Sequence, residues 1–293
     1  MKALGSNKPS SAIRNIPARD LRFCEKAVAQ RWYMGSEPVP SAFLSALSAT
    51  FPLGEKFFID SVRRFSSKVQ GKLAEDIRAF VVQEAFHTRE HLAFNKLVGD
   101  TGYSTTAMTE RTRGVLRPFR SKSALCQLGL TMALEHFTAL FAHEVLTQEC
   151  RLASAPDHVC ALWRWHAMEE IEHKAVAFDT FVAATRHWSS IRRYAFRCRV
   201  MMDATRVLVS VVARNMDDLF VQDRLPRLAT WLNAIRYFFG VNGVLTSMAP
   251  AYLAWFRPGF QPWDIDDRAL VYQVAEELEV RAKESRSVVS IAY

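Results

Sequence analysis

The stretch His166-Ala167-Met168-Glu169-Glu170-Ile171-Glu172-His173 reads H-x-x-x-E-x-x-H. On a helix, steps of four and three residues stack His166, Glu170 and His173 on one face across two turns. Two imidazoles around a carboxylate form a ligand set for a transition metal. A second E-x-x-H lies upstream at Glu84 and His87. Two such motifs on separate helices, plus a lone Glu from each of two others, are how a four-helix bundle builds a two-metal carboxylate site. The spacing therefore predicts an all-α fold.

The lone glutamates are Glu55 and Glu135. Helical spacing surrounds Glu55 with Phe51, Phe58, Ile59 and Val62, and Glu135 with Thr131, Met132, Thr138, Ala139 and Ala142. Glu84 shares its face with Phe80, Val81, His87, Thr88 and His91, and Glu170 with His166, Ala167, His173 and Ala177. Each carboxylate thus sits on the apolar or ligand-bearing side of its helix. A buried ionised carboxylate is very costly unless something compensates it. The nearby cations Arg63, Arg64, Lys68, Arg78, Arg89 and Lys174 fall mostly on other faces. Two divalent ions would balance four glutamates, and neutral histidines would complete the coordination without adding charge.

The rest of the chain reads as helical. Helices are expected over about 52–70, 73–98, 121–151, 157–187 and 191–220, then from Pro226 to about 248, and finally over 266–284. Residues 41–49 read as a short lead-in segment and 99–120 as a loop. No β-branched run alternates as a strand would. The implied organisation is a polar N-terminal arm (1–40), a dimetal helical bundle (41–188), additional C-terminal helices packed on it (189–265), and a polar helix and tail (266–293).

Five scattered cysteines without a C-x-x-C argue against a disulfide framework or zinc ribbon. Residues 1–20 lack the apolar core of a signal peptide. A cytoplasmic location is expected, with membrane association as an alternative. The net charge is +8. No nucleic-acid partner is expected, because the arginines are scattered and no base-reading motif appears. An anionic membrane surface or an anionic substrate suits the charge at least as well. Arg192, Arg193, Arg197, Arg199, Arg206 and Arg214 flank apolar residues on the fifth helix, a pattern suited to a solvated face or to anionic lipid. Tyr237–Phe256 carries no charge and is long enough to cross a bilayer. Gly240, Asn242, Gly243 and Pro250 within it favour a buried helix instead.

His91 lies one turn beyond His87 and is expected to hydrogen-bond at the end of the site. Glu169 could exchange with Glu170 as ligand, but Glu170 alone makes the E-x-x-H spacing. His136 and His143 are expected to be structural.

The chain resembles a family of bacterial proteins described as predicted metal-dependent hydrolases. The resemblance rests on Phe51-Pro52-x-Gly54-Glu55-x-Phe57-Phe58, Gln83-Glu84-x-x-His87, Glu135-His136-x-Thr138-Ala139, the segment Trp165–Lys174, and Pro258-Gly259-Phe260-x-Pro262-Trp263. The ligand order is also similar to that of ferritin-like di-iron N-oxygenases acting on arylamines. These resemblances imply a ferritin-like four-helix bundle with additional C-terminal helices. They imply metal ligation, and catalysis, by Glu55, Glu84, His87, Glu135, His166, Glu170 and His173. The main expectation is a non-haem di-iron oxygenase or oxidase holding two iron ions, with manganese or a mixed manganese–iron pair as alternatives and dioxygen as co-substrate. A dinuclear hydrolase using a metal-bridging hydroxide and a non-catalytic metal-binding protein are the alternatives. The expected partner is a small apolar or amphipathic substrate. Peripheral membrane contact and a homodimer are compatible with the chain, and the electron donor is not legible.

Overall fold

The computed structural model describes residues 16–25 and 27–291, with side chains up to residue 280. The first fifteen residues of the expected arm and the last two of the tail lie outside the described residues. The described chain is all-helical, with no strand.

Helix α1 spans Pro38–Ser48, with Pro38 and Pro40 in its first turn, where a missing N–H costs nothing. This is a full helix where only a lead-in was expected. Its buried side includes Phe43, Leu44 and Leu47. Helices α2 (Phe51–Arg63) and α3 (Lys72–Asp100) follow, joined through a 3₁₀ turn at Ser66–Lys68. The segment read as a loop contains α4, Thr106–Arg120. Its composition is polar and arginine-rich, and its interior holds Pro118. It is held by Met108, Thr112 and Leu116, which recur every four residues and are buried. A stripe that narrow gives little periodic signal amid polar residues; packing against α2 and α8 supplies the missing stabilisation.

Helix α5, Ala124–Thr147, is apolar on nearly all sides and buried along most of its length, as a central helix must be. It is long and apolar enough to cross a membrane, but it is largely enclosed by protein. The helix expected over 157–187 divides into α6 (Asp157–His173) and α7 (Val176–Ala184). At the break, Lys174 Nζ is drawn to Ile265 O and Asp267 Oδ2, both at 2.7 Å. Helix α8 runs from Ser190 to Gln222, with Ser189 Oγ accepting from Arg192 N at its start. The next expected helix is likewise two, α9 (Arg227–Phe239) and α10 (Val244–Ala254). A Cβ on Gly243 would lie 2.5 Å from Phe238 O, so the turn between them closes only around glycine. The uncharged stretch 237–256 is therefore not one continuous helix. Helix α11, Arg268–Ile291, packs along α6.

Helices α2, α3, α5 and α6 pack around a shared interior, and α8 covers α1, α4 and α5. Two large apolar clusters lie among the described residues, one containing Phe94, Trp163 and Trp165, the other Phe57, Phe80 and Trp255, with a third, smaller one around Leu140, Val244 and Met248. Helices α5 and α8 approach closely at Gly129, where a Cβ would meet the Phe196 ring at 2.6 Å. We expect Gly129→Ala to lower stability by about 1–3 kcal/mol through overpacking, although alanine is the better helix former. A melting temperature equal to or above that of the unmodified chain would contradict this packing.

Candidate metal centre

The four central helices deliver all seven predicted residues to one buried region. Glu55, Glu84, His87, Glu135, His166, Glu170 and His173 are each at most 3% exposed. Their ligand atoms form two overlapping sets. Glu84, His87, Glu170 and His173 can each present an atom within 4.8 Å of the others, and so can Glu55, His87 and His166. Glu170 Oε1 stands at the join, 2.7 Å from His166 Nε2 and 3.4 Å from His87 Nδ1. His173 Nε2 lies 3.3 Å from Glu84 Oε1. Glu135 lies one step back, with Oε2 3.1 Å from His173 Nδ1.

The test of whether these residues suit a cation is what their polar atoms lack. Glu55 Oε1, both oxygens of Glu84, His87 Nδ1, Glu135 Oε1, Glu170 Oε2 and His173 Nε2 are buried without a hydrogen-bond partner. Buried polar atoms are nearly always paired. So many unpaired lone pairs meeting in one place fit a positive ion.

A surrounding layer of contacts orients the imidazoles. His87 Nε2 lies 3.1 Å from Glu169 Oε2, which leaves Nδ1 turned inward. Such carboxylate–histidine pairs fix the ring and its tautomer for ligation. Glu169 thus supports His87 rather than exchanging with Glu170. A second relay sets His166. Asn95 Nδ2 donates to Ser48 O, so Asn95 Oδ1 accepts from Ser48 Oγ at 2.7 Å. Ser48 Oγ in turn accepts from His91 Nδ1 at 2.8 Å. The remaining His91 nitrogen, Nε2, meets His166 Nδ1 at 2.5 Å; in the tautomer in which His166 Nδ1 donates to it, a cation would take the place at His166 Nε2 that the 2.7 Å contact with Glu170 Oε1 fills here. His91 is therefore the hydrogen-bonded histidine its spacing predicts, but Ser48, on α1, carried no sequence signal. Thr88 Oγ1 donates to Glu55 Oε2 at 2.7 Å.

The N-terminal arm closes one side. Arg19 Nη1 donates to Glu169 Oε1 at 3.1 Å, and Arg19 Nη2 to Glu172 Oε1 at 2.8 Å. Gln83 Nε2 bridges Pro17 O and Glu172 Oε2. Arg19, Gln83 and Glu172 were missed; only the proximity of Gln83 and Glu172 to the motifs hints at them. His136 packs on Trp255 and Phe260, and His143 pairs with Asp267, both outside the clustered ligand atoms.

Electrostatics show what replaces the cation when none is bound. Burial, followed by the charges of Glu135 and Glu170, raises Glu84 well above the usual carboxylate range. Burial likewise pushes Glu55 up to about 8 and Glu135 to about 7. Burial alone would lower His87, but the hydrogen bond to Glu169 and the adjacent carboxylate of Glu170 outweigh it and push the ring up to about 10. Burial and the His87 charge take His166 down to about 4. Burial would raise Glu170 too, yet the imidazoles of His173, His166 and His87 hold it well below the usual range. Burial thus favours protons on Glu55, Glu84 and Glu135, and the neighbouring carboxylates favour one on His87; a metal would have to displace them.

An apolar cavity of about 40 Å³ ends on this region, lined by Leu47, Phe51, Phe141, Trp163 and Tyr237 together with His166 and Glu170. A neighbouring cavity of about 60 Å³ shares Leu47, Phe51, Thr138 and Phe141 with it. Since one water occupies roughly 10–15 Å³ of such space, only very small molecules fit without movement of the lining.

In the metal-free chain, Glu55 and Glu135 titrate at about 8 and about 7 against 4.5 unfolded, and His87 at about 10 against 6.5. The stability these groups contribute is complete below their unfolded values and is lost as pH rises through the folded ones. The melting temperature of chelator-treated protein should therefore fall from about pH 6.5 to 8, and added divalent metal should reverse that slope. A flat or rising apo profile would contradict this account. Glu169→Gln should keep the fold and weaken metal affinity by about 10–100-fold; unchanged affinity by titration calorimetry would remove Glu169 from the site.

No curated protein and no solved structure matches the chain. Residues 17–266 match the family described as predicted metal-dependent hydrolase. The match covers most of the chain and contains every residue of the buried histidine–glutamate cluster, and the chain belongs to that family.

Proposed function

We propose that the protein is a metal-dependent hydrolase whose centre holds two divalent cations. The observation that carries this reading is the set of unpartnered ligand atoms on Glu55, Glu84, His87, Glu135, Glu170 and His173, converging inside a chain of this family. Glu84, His87, Glu170 and His173 would hold one ion. Glu55 and His166 would hold the other, with Glu135 completing the charge balance of four carboxylates against four positive charges. The free nitrogen of His87 belongs to both sets and serves one ion. Bound cations of this kind polarise a substrate carbonyl or phosphoryl oxygen and lower the pKa of water near neutrality. The chain's own residues do the rest. Glu169 and the Ser48–His91 relay keep His87 and His166 in the ligating tautomer. Glu135 Oε1, without a partner, is placed to carry a proton. The apolar lining excludes bulk water and favours a small apolar or amphipathic substrate.

A second reading is favoured by a specific observation. The cluster uses Glu and His alone, on four helices in an apolar interior. A ferritin-like di-iron centre activating dioxygen draws on the same ligand types and helical setting.

Protein freshly purified and loaded with zinc or manganese should hold two ions per chain by elemental analysis. It should turn over a member of an ester, amide and phosphate panel without oxygen. Glu170→Ala and His173→Ala should lower both the metal content and the turnover. A folded chain that binds no iron, manganese or zinc would end both readings. Turnover that requires iron and oxygen and vanishes anaerobically would replace the hydrolase by the oxygenase.

A further inference from the structure

The forty residues from Arg224 to Trp263 contain no Asp or Glu, yet hold Arg224, Arg227, Arg236 and Arg257. Within this segment α9 is apolar on two opposite faces. Thr230 and Ala234 are buried against the protein. On the other side, Leu228 is 77% exposed, Leu232 47%, Ile235 52% and Phe239 64%, and Val241 follows at 95%. Spacings of four, three and four align these residues in one outward stripe. A surface helix normally turns polar residues to water, and a contiguous exposed apolar patch marks an interaction site.

The charges around the stripe identify its occupant. Of the acidic groups on the neighbouring end of α8, Asp217 is engaged by Arg227 and Trp231, and Asp218 by Arg111. Asp223, just beyond the helix, is engaged by Arg31 and Tyr103. Arg224 and Arg236 are exposed and make no ion pair among the described residues. A second copy seated stripe to stripe would set these cations against one another, with no acid in the segment to answer them. A phosphate-bearing lipid surface answers both features: the headgroup–acyl boundary accepts the apolar side chains, and the phosphates accept the arginines.

We propose that α9 docks this protein on an anionic lipid bilayer. Leu228, Leu232, Ile235 and Phe239 enter the interface, and Arg224 and Arg236 pair with lipid phosphates. Tyr237, on the opposite side of the same helix, lines the cavity that reaches His166 and Glu170. One helix thus separates the lipid from the cavity. The inference stands apart from the chemistry of the centre, because it rests on the outer face of α9 alone.

The test is sedimentation of the full-length chain with vesicles of phosphatidylcholine alone and of equal parts phosphatidylcholine and phosphatidylglycerol, at low and high salt. The unmodified chain should pellet with the anionic vesicles and be released by salt. Arg224→Gln/Arg236→Gln should bind about 30-fold more weakly. Leu232→Gln/Ile235→Gln/Phe239→Gln should lose binding while keeping its melting temperature and metal content. Should the triple variant fail to fold, Phe239→Gln alone and the arginine pair carry the same test. Absence of the unmodified chain from the anionic pellet would overturn the proposal, as would binding that is indifferent to these substitutions. A lipid-free dimer by light scattering that the stripe variant renders monomeric would overturn it in favour of a second copy. Metal content measured on the same samples keeps this result separate from that of the centre.

Discussion

Carboxylates inside an oily interior need compensating charge, and the rest of this molecule is arranged around that need. Glu55, Glu84, Glu135 and Glu170 are buried between helices whose neighbouring side chains are phenylalanine, tryptophan, leucine and alanine. Water cannot solvate them there, and an uncompensated buried charge costs several kcal/mol or more. Protons can meet the requirement, since burial raises the titration of Glu55, Glu84 and Glu135 and so favours their neutral forms. Cations would meet it better, because they would also satisfy His87 Nδ1 and His173 Nε2, which have no hydrogen-bond partner. Folding, protonation and metal loading are therefore linked through one small volume.

The centre is held from several directions at once. Aromatic rings wall it: Phe51 lies 4.9 Å from His166, Trp165 4.9 Å from His87, and Phe80 4.9 Å from His173, centroid to centroid. Beyond them come Glu169 and Glu172 on α6, Ser48 on α1, and Arg19 from the arm. Arg19 joins Glu169 and Glu172 from about 150 residues away in sequence. The outer members of this acidic region are paired, while Glu55, Glu135 and Glu170 each keep one oxygen without a partner and Glu84 keeps both.

The two apolar surfaces of α9 extend the same logic outward. Its inner side contributes to the enclosure of the cavity beside the centre. Its outer side has no counterpart among the described residues; the acidic groups at the adjoining end of α8 are already engaged, and the exposed Glu37 lies beside Thr230 and Tyr237 on the opposite side of the helix. The exposed arginines Arg224 and Arg236, without an ion pair among the described residues, are what led us to propose lipid rather than a second copy as its occupant.

The helical class and the seven residues of the cluster were legible because 3.6-residue periodicity is a local property. H-x-x-x-E-x-x-H specifies a face whatever surrounds it, and the apolar neighbours of Glu55 and Glu135 mark those faces as inward. Local patterns failed where stability came from elsewhere. Helix α4 has a stripe of only three buried residues and exists because α2 and α8 cover it. The breaks at Lys174 and at Gly240–Gly243 answer a distant aspartate and a tight backbone approach. The supporting contacts of Ser48, Gln83, Glu172 and Arg19, and the stepped-back place of Glu135, depend on which side chains meet across helices. The sequence by itself determined which faces carry the clustered histidines and glutamates, because helical spacing is set within a few residues. Only the tertiary structure decided which atoms stay unpaired and which stripe stays uncovered, because those depend on long-range packing that no local spacing encodes.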